Sequence, residues 1–341
     1  MPRFLSAFLV LLSGLWGQTA LAQSAPADLF NFGKNAWCQA GAITTPPMSG
    51  VIERERKVLD QALPWFARAI QAAKAKPAGA QQLATELARM AEAGAFTKLD
   101  WSGSGSSPAH WQSNLLKNIA ISVNVVDVQN GWQAGQREAV IAWGNTVYKS
   151  THYSAWGRKQ SDRWPDTMAT AAAAYLIWGA VAPDAKAYDE GLKDFDKVAR
   201  LLKAKSGTGS YYKGKLAKSL PKGWGARIED KTLGDLVFAA HVAKRQGRDL
   251  FNQRFGKGVS LYEAVVGWQS TLFDNDGAAV KGLDLSFLTS QGGERSWAWT
   301  EYFVAHFPDD AATQTLREKS ARIGAGGYVS QALGPATCLM R

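Results

Sequence analysis

Apolar residues recur at three- and four-residue spacing along most of the chain, and no stretch alternates convincingly as a strand would. On this pattern, segments 51–75, 81–93, 108–128, 137–149, 165–181, 185–205, 232–246, 260–272, 297–306 and 311–321 read as helices. Pro108 and Pro165 stand where helices begin, a position that needs no backbone N–H, and Pro183-Asp184 ends one helix before opening the next. Pro64 is expected to kink or split the first long segment. The polar, glycine-rich connections at 101–107, 150–164, 206–225 and 274–293 are longer than the few residues that usually join packed helices. That length makes them candidates for binding surface. None is biased enough to divide the chain, so residues 23–341 read as one all-α domain, its length accommodated by a closed or partly closed ring of helix pairs.

The head of the chain changes this picture. Residues 1–22 read as a secretory signal: Arg3 supplies the positive start, residues 4–15 the apolar stretch, and Ala20-Leu21-Ala22 a small-residue cleavage site. The expected mature chain is therefore periplasmic or secreted. Removing the signal lowers the net charge from +10 to +9 and the tryptophan count from 14 to 13. No later segment reaches ~20 uninterrupted apolar residues, so no membrane span is expected. A basic exported chain rich in indole rings suits an acidic sugar polymer, because flat aromatic faces stack on pyranose rings while Lys and Arg neutralise carboxylates. Tryptophan is also an ordinary core residue of helical proteins, and a basic balance also fits a solvated surface. Nucleic acid is not indicated, since there is no Lys/Arg run, RNA-binding signature or helix-turn-helix spacing. No cofactor is implied, and His110, His152, His241 and His306 show no metal-ligand spacing. Cys38 and Cys338 either bridge in an oxidising compartment or remain as two buried thiols.

Three stretches carry a resemblance: the Cys-containing N-terminal segment, the Gly-Ser-Gly-Ser-Ser turn at 103–107 leading to Trp111, and Trp297-Ala-Trp-Thr-Glu-Tyr302 ending in His306-Phe-Pro308. In this order they resemble the alginate lyase family of helical toroids, whose corresponding closing helix is of Trp-Leu-Glu-Pro-Tyr type and ends in Arg-Phe-Pro. The resemblance implies an incomplete α/α toroid with a groove for a uronate polymer, cleaved by β-elimination. The family's Asn-Asn-His at the head of a central helix does not carry over. Pro165-Asp166-Thr167 falls there, and the family's Arg and the Tyr seven residues later fall near Trp224 and Lys231, with Arg227 close by. The active site has therefore moved, changed substrate, or been lost.

Elimination needs a base for the proton beside the carboxylate, a cation for the carboxylate, and an acid for the leaving oxygen. His152 and Tyr153 offer the proton chemistry in the connection before the helix at 165, where Arg158 and Arg163 can hold a carboxylate and Trp164 can stack. A second patch joins Tyr211 and Tyr212 to Arg227 and Lys231, with Tyr212 as proton carrier and Arg227 neutralising charge. His110 and Trp111 are candidates for lining the same groove. His241 lies on an apolar face and reads as a satisfied core histidine, and His306 as a cation at a helix end. Two other readings stay open. A glycoside hydrolase on an α/α barrel would draw on Asp162, Asp166, Glu229, Asp230 or Glu301, and a non-catalytic acidic-glycan-binding protein would belong with exopolysaccharide-system proteins.

Overall fold

The computed structural model describes residues 28–30, 37–47, 51–52, 61–99, 108–152, 164–210, 224–273, 297–321, 330 and 333–341. Its helices are α1 (Leu63–Ala75), α2 (Pro77–Glu92), α3 (Pro108–Val128), α4 (Gln136–His152), α5 (Pro165–Val181), α6 (Ala185–Ala199), α7 (Trp224–Arg245), α8 (Leu261–Phe273), α9 (Trp299–Val304), α10 (Ala311–Ala321) and α11 (Ala336–Met340). Two short strand pairs accompany them. β1 (Val51–Ile52) runs parallel to β2 (Lys98–Leu99), and β3 (Arg254–Phe255) is antiparallel to β4 (Val259–Ser260).

Local chemistry sets the helix ends. Lys76 is extended and Pro77 opens α2, so the chain breaks between α1 and α2 where proline disfavours a helical predecessor. Asp184 caps α6 by accepting a hydrogen bond from the Ala187 backbone N–H at 3.1 Å. Pro64 occupies the first turn of α1, directly after the helical residues 61–62, while residues 53–60 before them lie outside the described residues. In α7 the helix begins eight residues earlier than the apolar pattern indicates. Its buried positions 226, 229, 230 and 233 have helical spacing, but two of them are Glu229 and Asp230, which disguise a buried face as a polar loop.

The helices pack in two layers. From residue 112 to 127 every side chain of α3 is buried, as is nearly all of α5, which marks both as inner helices. Gln112, near the start of α3, donates to Ser150, near the end of α4, at 2.8 Å, so these helices are antiparallel. Trp178 donates to Asn145 at 3.0 Å and Tyr175 packs edge-on to Tyr148, which makes α4 and α5 antiparallel too. α6 returns along α5 at close range: an added Cβ at Gly179 would lie 2.5 Å from the Tyr188 nitrogen, and one at Gly191 2.7 Å from the Leu176 nitrogen. Glycine permits that approach at both crossings.

α3 and α7 run in the same direction. Lys117 meets Asp235 at one level, and Asn124 and His241 both bind Leu29 further along. α9 follows α7 in the same sense, with Trp299 against Gly234, Tyr302 against Phe238 and His306 against His241. Alternate helices therefore line the inside while α2, α4 and α6 return outside, the arrangement of an incomplete α/α toroid. One end of that ring collects the starts of α3, α5, α7 and α9. The four long connections singled out in the sequence each lead into one of those starts.

Among the described residues no helix is long and apolar enough to cross a membrane. Cys38 and Cys338, 300 positions apart, are joined by a disulfide with a Cα–Cα distance of 4.7 Å. Beside it the Arg341 guanidinium lies over the Trp37 ring, 5.5 Å from its centroid, and donates to Glu301 at 2.9 Å.

Candidate functional site

Three inner helices bring a polar cluster to the middle of the ring. On α3, His110, Asn114 and Lys117 follow one another at four- and three-residue spacing and so share a face. Lys231 and Asp235 do the same on α7, and Thr170 comes from α5. Lys117 Nζ lies 2.5 Å from Asp235 Oδ1 with both side chains essentially inaccessible, while Thr170 Oγ1 lies 2.5 Å from Asp235 Oδ2. Lys231 Nζ donates to Thr170 Oγ1 at 3.1 Å and stands 3.5 Å from Asp235 Oδ2. Thr170 has a single hydroxyl proton, and the short contact directs it to the charged Asp235 oxygen.

The electrostatics follow from this crowding. Burial alone would raise the Asp235 pKa, yet Lys117 and Lys231 hold it down at about 2, so Asp235 is ionised. Burial lowers the Lys117 pKa, and the ion pair with Asp235 opposes that shift. His110 is pushed well below the ordinary imidazole range, first by burial and then by Lys231 and Lys117. It is therefore neutral near pH 7. Its Nε2 lies 3.3 Å from Asn114 Nδ2 and its ring packs edge-on against Trp111 at 4.6 Å. An imidazole so reluctant to charge is a weak base but a good neutral hydrogen-bond partner.

The sequence-derived candidates fall into two groups. His152 is the last residue of α4, at the ring end where α3, α5 and α7 begin. Tyr153, Arg158, Arg163, Tyr211, Tyr212 and Asp162 lie outside the described residues, as do 101–107. Trp164 precedes α5 as its half-buried N-cap, Trp111 is half-buried in the first turn of α3, and Arg227 is exposed on α7. Arg227, Glu229, Asp230 and Lys231 belong to a helix, not to a loop patch of solvated charges, and Glu229 and Asp230 are fully buried. Trp224, at the start of α7, remains half exposed. Asp235, Lys117, Thr170 and Asn114 escaped sequence reasoning; a lysine inside a strongly helical stretch was the available signal.

Of the acids considered for a hydrolase, Glu229, Asp230 and Glu301 already have structural partners, and Asp162 lies outside the described residues. Glu229 accepts from Thr208 Oγ1 at 2.9 Å and from the Thr208 and Gly209 backbone N–H groups. Glu301 binds Thr337 at 3.0 Å and Arg341. Asp230 accepts from the Trp268 and Trp299 indoles at 3.2 and 3.4 Å, and burial raises its pKa to about 7. Asp166 sits in the first turn of α5.

His241 is fully buried, bonded to the Leu29 carbonyl at 2.7 Å and to His306 at 2.9 Å. His306 does not serve as a helix-end cation: burial and the nearby Lys244 lower its pKa to about 4, because its ring packs among His241, Phe251 and neighbouring apolar groups. Among the described residues no group of His, Cys, Asp and Glu could hold a metal ion.

No family model matches the sequence, and comparison with curated proteins found no match. Solved structures do match. Alginate lyase A1-III from Sphingomonas species A1 superposes with a TM-score of 0.67 at 16% identity, covering 94% of this chain and 91% of that one. A Tyr→Phe variant of alginate lyase A1-III complexed with tetrasaccharide gives 0.68 at 17% identity over the same shares, and a His→Ala variant complexed with tetrasaccharide gives 0.66 at 16% over 94% and 90%. The chain thus has the helical-toroid fold of alginate lyase A1-III, at low sequence identity.

Proposed function

We propose that the protein is an exported polysaccharide lyase-like protein that binds an acidic, uronate-containing polysaccharide and cleaves it by β-elimination. The observation that carries this reading is the likeness to alginate lyase A1-III, a protein solved with a tetrasaccharide, over 94% of the chain. The ring end where α3, α5 and α7 begin supports it. Trp111, Trp164 and Trp224 offer stacking faces there, Arg227 and Lys231 offer cations, and the candidate-bearing connections lead into the same end.

In the reaction a base takes the proton from the carbon beside the carboxylate. The freed electron pair becomes the double bond to the neighbouring carbon, the bond from that carbon to the glycosidic oxygen breaks, and the oxygen takes a proton. His152, ending α4 at this ring end, is the base, with Tyr153 beside it and Arg158 and Arg163 following; Tyr212 with Arg227 is the rival pair. His110 fits the base role poorly because its surroundings suppress its proton affinity. Residues 1–22, which read as a secretory signal, support a mature protein in the periplasm or outside the cell.

One observation favours a second reading, a binding protein of an exopolysaccharide system: Pro165-Asp166-Thr167 occupies the place of the family's Asn-Asn-His. Product analysis separates the readings. A lyase leaves unsaturated ends, a hydrolase leaves new reducing ends without unsaturation, and a binder leaves the polymer intact.

A further inference from the structure

The polar cluster contains two ammonium groups and one carboxylate acting on His110, an excess of positive charge. Lys117 cannot serve a ligand, because its charge is spent on Asp235. Lys231 can: 31% of its side chain is exposed, and it lies one turn closer than Asp235 to the ring end where α7 begins. An ammonium has three N–H donors. Thr170 accepts one of them, and Asp235 at 3.5 Å attracts the ammonium without holding every donor. That leaves the half-exposed ammonium able to donate to a further acceptor that carries negative charge.

A second observation is independent of charge. Asn114 is completely buried on the same face of α3 as His110, and its Oδ1 has no hydrogen-bond partner. Turning the amide over would satisfy that oxygen through His110 and leave the Nδ2 group without a comparable bond to the ring. In either orientation one polar group of Asn114 is unmatched, at a cost of about 1–3 kcal/mol. Orphaned buried groups of this kind are rare unless something outside the chain completes them. A sugar hydroxyl, both donor and acceptor, completes either orientation.

We infer that Lys231, Asn114 and His110 form a recognition point for one uronate residue, with Lys231 Nζ binding the carboxylate and the Asn114 amide binding a ring hydroxyl. Asp235, Thr170 and Lys117 are positioning residues. Asp235 and Thr170 fix the Lys231 ammonium, and Lys117 neutralises Asp235 so that it does not repel the incoming carboxylate. His110, held neutral, orients the Asn114 amide without competing for the anion. This assignment rests on the proposed uronate function and moves the carboxylate anchor from Arg158 and Arg163 to the inner layer.

The test compares a polyuronate with the same polymer after its carboxylates are reduced to primary alcohols, by affinity electrophoresis of the mature protein. Wild type should prefer the polyuronate, and Lys231→Met should lose that preference by about tenfold to a hundredfold, the value of one hydrogen bond to a charged group. Lys231→Gln keeps a donor for Thr170 and should lose it equally, while Lys231→Arg should retain part of it. Asn114→Ser, which shortens the amide, should weaken both polymers alike and leave the preference intact. Thermal melting accompanies each variant; should Lys231→Met fail to fold, Lys231→Gln decides. A folded Lys231 variant with undiminished preference overturns the assignment alone. Wild-type protein that retains no acidic polymer overturns the proposed function and this assignment with it.

Discussion

Lys117 and Asp235, 118 positions apart, meet at 2.5 Å with both side chains out of reach of solvent. This pair ties α3 to α7 across the inside of the ring, with Thr170 of α5 on the other oxygen of the carboxylate. Removing Lys117 leaves the buried Asp235 carboxylate with only the half-exposed Lys231, 3.5 Å away, and the Thr170 hydroxyl to offset its charge. Lys117→Met should therefore destabilise the fold by about 3–5 kcal/mol, measured by denaturant unfolding. The double change Lys117→Met with Asp235→Leu should recover much of that loss, since no buried charge then remains.

Two sets of buried groups give stability opposite pH dependences. His241 and His306 ionise only near about 3 and about 4 in the fold, against an ordinary 6.5. The unfolded chain binds more protons between those values, so stability is full above the ordinary value and falls as pH drops from about 6.5 towards 4. Asp230, raised to about 7 from 3.8, acts the other way over the same range: its contribution is fully present below 3.8 and is lost as pH rises through about 7. His306→Gln should make the fall in stability between about pH 6.5 and 4 shallower, and Asp230→Asn, by removing the opposing contribution, should make it steeper. Unchanged slopes in both variants would contradict these assignments.

Much of the fold is legible from spacing alone. Helices at 108–128, 165–181 and 311–321 have the bounds the apolar pattern and the prolines indicate, because apolar residues recur at helical spacing through each of them, even though the first also buries polar side chains such as Gln112 and Lys117. Legibility fails where burial is polar. Glu229 and Asp230 are buried but acidic, so the first two turns of α7 read as a loop. The same blindness hides the site: Lys117, Asn114, Thr170 and Asp235 lie far apart in sequence and look like ordinary helix residues until three parallel helices bring them together. The five-residue helix α11 is too short to show periodicity.

The disulfide between Cys38 and Cys338 closes a loop of nearly the whole chain. In the chain-entropy view, closing a loop of that length stabilises by about 5 kcal/mol. Non-reducing peptide mapping of exported protein should recover the linked peptides, and reduction should lower the melting temperature. Both thiols freely alkylated in protein from an oxidising compartment would contradict the link.

The base is tested by His152→Ala. If His152 removes the proton, turnover should fall by about 10²–10⁴-fold with folding and glycan binding nearly intact, because proton transfer acts mainly in the transition state. Full activity in His152→Ala, together with collapse in Tyr212→Phe or Arg227→Ala, would place the chemistry at the second patch.

The most direct measurement of the central claim is incubation of the mature wild-type protein with a panel of uronate polymers, followed by ultraviolet absorbance of unsaturated sugar ends. The account predicts that absorbance grows with at least one acidic polymer and with no neutral dextran. New reducing ends without unsaturation, or an intact polymer throughout the panel, would contradict it.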